Sequence, residues 1–196
     1  MSIAPIAGAD PSAAITADTS KLTRAGWSWA IFEWARNPYY ILIIIYLFAP
    51  YFAAIIGANL LASGELDGMD GENARKAANA AGQATISSLV KYAGFIAAVT
   101  APVLGAALDR GGRRKPLLAF FLGSLVVMSF SLWWIKPDGS GMPLWMGMAA
   151  LVIAGISYTY SEVIHNAMLS DNGSRASLST ISGLGLALGN LAGALM

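Results

Sequence analysis

The sequence predicts an all-α fold, a polytopic membrane helix bundle of about five spans, and three observations predict it. The chain of 196 residues is 56% hydrophobic and 12% charged, with a mean hydropathy of +0.59, whereas a soluble domain carries about a quarter charged residues. Long apolar runs alternate with short polar stretches along its length. The cations are also concentrated: Arg110, Arg113, Arg114 and Lys115 share one short turn, and the runs on either side of it, Tyr92 to Leu108 and Leu117 to Ile135, carry no charge. Two apolar helices joined by such a turn form a hairpin in a bilayer, with the Lys/Arg-rich loop on the cytoplasmic side.

Other classes are excluded on composition. A net charge of +1 offers no general attraction to nucleic acid, and the absence of cysteine removes disulfide and thiolate chemistry. Met1 to Ser20 is rich in Ala, Pro, Ser and Thr and carries Asp10 and Asp18. It lacks the basic and then apolar order of a signal peptide, so residues 1–25 read as a disordered cytoplasmic tail and 26–196 as the membrane domain.

The first span is expected over about 26–58. It is longer than the roughly 20 residues a crossing needs, which implies tilt or an interfacial first turn. Trp27, Trp29 and Trp34 suit the inner headgroup belt. Pro38 removes a backbone donor and should bend the helix. The stretch from Ser63 to Gly82 reads as a solvated outer loop, with Glu65, Asp67, Asp70 and Glu72 against Arg75 and Lys76. Its faint likeness to a calcium loop lacks the alternating oxygen ligands such a loop requires. The second span is expected over about 84–108, with Lys91 snorkelling near its outer end. The third is expected over about 116–135, closing on Trp133 and Trp134 as an outer belt, the fourth over 143–164 and the fifth over 178–196.

The charges set the topology. Segments expected inside hold Lys21, Arg24, Arg110, Arg113, Arg114, Lys115 and Arg175; those expected outside hold Arg75, Lys76 and Lys136. Seven against three places the N-terminus inside. The chain then ends within an apolar run, the pattern of a truncated bundle.

Ionisable groups within spans are expensive and are functional candidates by default. Glu33 and Arg36 lie three apart on the first span, on one face and within pairing reach, with Asn37 adjacent. They read either as a proton- or substrate-binding pair or as a structural ion pair. Glu162 and His165, again three apart, follow Tyr158 on the fourth span. They read as a proton-coupling pair, since imidazole titrates near neutrality, or as polar residues at the inner interface. With one histidine in the chain, a metal centre is not expected, nor is any cofactor. Gly185, Gly189 and Gly193, four apart on the fifth span, form a smooth stripe that reads as a packing seam.

The run Gly105-x-x-x-Asp109-Arg110-x-Gly112-Arg113-Arg114-Lys115 resembles the signature loop between helices 2 and 3 of the major facilitator superfamily. Three further blocks resemble its vacuolar amino-acid effluxer-like branch: Trp29 to Tyr39 with Phe48 to Phe52, Asn166 to Asp171, and Ser182 to Gly189. The branch usually has Asp at Glu33, Tyr at His165 and Pro at Ser170. The resemblance implies a secondary transporter that moves small solutes, with amino acids the candidate class and a proton the candidate coupling ion. It implies a cavity between two six-helix halves near the bilayer midplane, lined here by Glu33, Arg36, Asn37, Tyr158 and Glu162. Asp109 would latch the cytoplasmic side, and the arginines would hold partners or lipid phosphates. The expected partners are the bilayer, the substrate and a missing C-terminal half, and the expected location is a bacterial inner membrane. The alternatives are a non-transporting interaction subunit and a non-functional truncated remnant. An enzyme is disfavoured, because no nucleophile–base set is present.

Overall fold

Apolar runs of this length cannot leave backbone polar groups unpaired in lipid, so they form helices, which satisfy every internal N–H and C=O locally. The computed structural model describes residues 22–111 and 113–195, except for the side chain of Asp109. The described residues contain helices and no strand. The helices are α1 (Arg24–Pro38), a π-helical segment (Tyr39–Phe48), α2 (Ala49–Ala62), α3 (Gly71–Asp109), α4 (Arg114–Ser131), α5 (Leu144–Ala167) and α6 (Leu178–Leu195). Five stretches are long and apolar enough to cross a membrane: Arg24–Ala62, Gly71–Leu108, Arg114–Trp134, Leu144–Asp171 and Leu178–Leu195. The tail expected over 1–25 lies outside the described residues as far as Lys21, and so does Gly112 of the basic turn. Arg24 and Ala25, expected in that tail, are already helical.

One boundary departs widely from expectation. The second span does not begin at about 84: α3 starts at Gly71, because Asp70 caps it by accepting from the amides of Glu72 and Asn73. Behind that cap the supposed loop becomes helix against α2. Ala74 and Ala78 are buried on that face, and Gly82 lies so close to Ala53 that a Cβ there would collide with the Ala53 carbonyl. Small residues let the two backbones approach where larger ones would separate them. Lys91 consequently sits near the middle of α3 rather than near its end, with its amine 4.9 Å from the Tyr92 ring.

Pro38, expected to bend the first span, is followed directly by the π-helical segment, which ends at Phe48, two residues before Pro50. Each proline lacks the N–H that would continue an i→i−4 ladder. Both ends of the wider helix therefore lie where that ladder is already interrupted.

The spans alternate in direction. Thr23 caps α1, its Oγ1 accepting from Gly26 N at 3.0 Å, and donates to the carbonyl of Asn172 at 2.9 Å. The start of α1 therefore meets the end of α5, and Arg114 brings the basic turn to the same end of the bundle through Ala167 and Asp171. At the opposite end, Tyr51 of α2 donates to the Ile135 carbonyl at 2.8 Å. The helices pack in pairs, α1 on α6, α4 on α5, α2 on α3 and α3 on α5. The main apolar core joins Ile44, Phe52, Ile55, Ile86, Leu132 and Leu151. Phe95, Val103, Phe120, Val126, Phe130 and Trp133 point outward, as side chains facing lipid do.

Candidate functional site

The polar groups buried in the bundle gather along the seam between α1 and α5. Arg36 is 6% exposed. Its Nη2 donates to both carboxylate oxygens of Glu33, at 3.0 and 2.9 Å, one turn back on the same helix. Its Nη1 lies 3.8 Å from Oε2 of Glu162 on α5. The guanidinium carbon sits 4.8 Å from the centroid of the Tyr158 ring, a cation–π contact of about 0.5–2 kcal/mol depending on desolvation. Tyr158 stacks on Tyr39 and Tyr40, at 5.8 and 5.5 Å, and its hydroxyl donates to Asn37 Oδ1 at 3.3 Å.

His165 closes the row toward the basic end. It is buried between two rings of α1, stacked on Trp29 and tilted against Phe32, each 4.4 Å away between centroids. The Trp29 indole N–H donates to the His165 carbonyl at 3.0 Å. His165 Nε2 lies 3.4 Å from Glu33 Oε1. All six residues singled out in the spans, Glu33, Arg36, Asn37, Tyr158, Glu162 and His165, therefore meet in one row.

Their partnerships differ from those that spacing suggests. Glu33 and Arg36 pair within α1, but Glu162 and His165 do not pair with each other. Glu162 approaches Arg36 and His165 approaches Glu33. An i,i+3 spacing puts two residues on one face, and here that face meets Glu33 and Arg36 of α1, which bring a carboxylate toward His165 and a guanidinium toward Glu162.

Trp29 was expected in the headgroup belt and is instead 7% exposed, held between His165 and α6. The glycine stripe makes room for it. A Cβ on Gly185 would stand 2.6 Å from Cζ3 of the Trp29 ring. One and two turns on, Gly189 meets Asn37 and Gly193 meets Ile41. Trp29, Glu33, Asn37 and Ile41 are four apart, as are the glycines, so side chains of one helix lie along the bare track of the other. That matched spacing was the available signal for Trp29. No comparable signal marked Phe32, Tyr39 or Tyr40.

The basic turn lies beside a recess lined by Leu108, Gly111, Arg113, Lys115, Met168 and Asp171. Arg114 spans from α4 to the end of α5, its Nη1 donating to the Ala167 carbonyl at 2.9 Å and to Asp171 Oδ2 at 2.7 Å. Arg110, Arg113 and Lys115 are exposed, and Gly105 is half-buried. The proposed latch residue Asp109 belongs to α3, and its side chain is outside the described residues, as is Gly112. No group of three His, Asp or Glu with metal-binding geometry occurs among the described residues.

Ionisable groups on spans that otherwise present apolar surface are candidates for a solute or ion path. Residues 22–171 match the family model described as "Vacuole effluxer Atg22 like". The chain belongs to this family. The family is related to the major facilitator superfamily and is a transporter family. No curated protein and no solved structure gives a match.

Proposed function

We propose that these five spans form one wall of a secondary transporter that exports small solutes by alternating access, with amino acids as the solute class. One observation carries the reading: Arg36, 6% exposed, keeps Nε and Nη1 without hydrogen-bond partners among the described residues, in a row that also holds Glu33, Glu162 and Asn37. A structural ion pair would use its donors, since a buried unsatisfied N–H costs about 1–3 kcal/mol. Unspent donors beside carboxylates and an amide are what a zwitterionic head group would meet.

An alternating-access cavity needs two facing walls. The opposing helices are the second partner in this reading, whether they belong to the same chain or another. The positive-inside count supports a cytoplasmic N-terminus; a bacterial inner membrane and a basic turn that gates the cytoplasmic side through Asp109 belong to the same reading and rest on the facilitator resemblance. Counterflow of radiolabelled amino acids into liposomes carrying the native assembly tests the proposal. Glu33→Gln and Asp109→Asn are expected to abolish flux while leaving membrane insertion intact. Unchanged flux in both would remove this mechanism. Co-purification with a second membrane protein and no flux from pure material would favour an interaction subunit.

A further inference from the structure

The charges in the row do not balance. Two carboxylates, Glu33 and Glu162, face one permanent cation, Arg36. The helices packed around them do not make up the difference. No residue of α6 is titratable. Arg114 of α4 lies beyond the row and is paired with Asp171. Lys91 of α3 lies over its own neighbour Tyr92. Asp109, also on α3, has its side chain outside the described residues. The phenols nearby belong to Tyr39, Tyr40 and Tyr158, and Tyr158 directs its proton to Asn37. Glu33 is 14% and Glu162 46% exposed, so solvent screens part of the excess carboxylate charge, and the unscreened part, on Glu33, favours taking up a positive charge.

His165 is the group placed to receive it. It is 3% exposed, and its Nε2 has no hydrogen-bond partner among the described residues. A buried polar atom left in that condition calls for an explanation beyond packing. The ring cannot readily turn away, because Trp29 and Phe32 hold its two faces and the Trp29 indole is bonded to its own backbone carbonyl. Glu33 Oε1 stands 3.4 Å from that Nε2. A proton on either atom would turn this approach into a charge-assisted hydrogen bond, after a shift of only a few tenths of an ångström.

We propose that Glu33 and His165 together form a single-proton site across the α1–α5 seam, and that its occupancy decides which helix holds Arg36. Without the proton, the Glu33 carboxylate holds the Nη2 of Arg36 within α1. With the proton shared between His165 Nε2 and Glu33 Oε1, the hold of Glu33 on Arg36 weakens. Glu162, 3.8 Å from the idle Nη1, then becomes the stronger partner, and Arg36 ties α1 to α5. The proton comes from water and returns to it, with no other bond made or broken. The use of this switch to drive solute movement rests on the transport reading, but proton binding itself does not.

The test reads proton binding directly. The full chain, without a histidine tag, is placed in lipid nanodiscs. Proton uptake per chain is measured with a pH-indicator dye on stepping from mildly alkaline to mildly acidic buffer. The wild type is expected to take up one more proton than Glu33→Gln or His165→Gln. The double variant should lose no more than either single one, because both remove the same proton. Circular dichroism checks that each variant is folded, with His165→Phe as the substitute if His165→Gln is not. Undiminished uptake in either single variant overturns the site, and so do two additive losses, which would mean independent groups. If the shared proton is found but flux is absent, this inference stands and the transport reading falls; flux that is present but independent of pH removes only the use of the proton to drive solute movement.

Discussion

Replacing Arg36 by Met separates a structural ion pair from a working one. At 2.9 Å and an effective dielectric of about 20, the Arg36–Glu33 attraction is about 6 kcal/mol before desolvation is counted. The 3.8 Å approach of Glu162 is worth less, because that carboxylate is 46% exposed and screened by solvent. Desolvation cancels much of either gain, yet stranding a buried charge costs about 3–5 kcal/mol. Arg36→Met leaves Glu33, 14% exposed, without its cation, so a loss in that range is expected. Glu33→Gln should cost less, about 1–3 kcal/mol, because Arg36 can still turn to Glu162 and Gln can still accept a hydrogen bond. The double variant strands no buried charge and should return to within about 1 kcal/mol of wild type. The assay is SDS-driven unfolding of the refolded protein followed by circular dichroism, with solute flux measured on each variant. A working pair predicts a double variant that is stable and inert, whereas a structural pair predicts one that is stable and active. An Arg36→Met single variant as stable as the double would refute the reasoning.

Three further outcomes follow from the packing and the caps. Gly185→Val should destabilise by about 1–3 kcal/mol by forcing the Trp29 ring away from α6, and Trp29→Leu in the same chain should recover part of the loss in thermal unfolding. Asp171→Asn should cost no more than about 1 kcal/mol, since that pair is largely solvated; Arg114→Gln should cost more, because it also leaves the Ala167 carbonyl without its donor. Asp70 is held below its ordinary value of 3.8, chiefly by the backbone amide of Asn73 and then by that of Glu72. Its cap is therefore fully present above pH 3.8 and is lost as the pH falls through the lowered value. Hydrogen exchange at the Glu72 and Asn73 amides should show Asp70→Ala less protected than wild type at neutral pH. The difference should close in strong acid, and a gap that persists there would count against the cap.

Much of the bundle was legible in the sequence because its signals are local. Five spans follow from runs of residues that lipid accepts and water does not, and the alternation of direction follows from the short turns between them. The Glu33–Arg36 pair was readable because a helix puts residues three apart on one face, and the glycine stripe because residues four apart line up. The start of α3 was misjudged because polar residues from Ser63 to Gly82 read as solvated loop. The cap at Asp70 and the small-residue face of Ala74, Ala78 and Gly82 instead carry the helix back to Gly71 against α2.

The sequence by itself thus determined that the chain folds as five apolar spans and which residues are too polar to lie in a span without a role. Only the tertiary structure decided what those residues meet. His165 faces Glu33 rather than Glu162, and Trp29 lies within the bundle rather than in the headgroup belt, because α1 rests on the bare track of α6 and turns one face to α5. Spacing along a helix sets which side chains share a face. The rotation and closeness of the neighbouring helices, set by packing along the whole length of each pair, determine what that face touches.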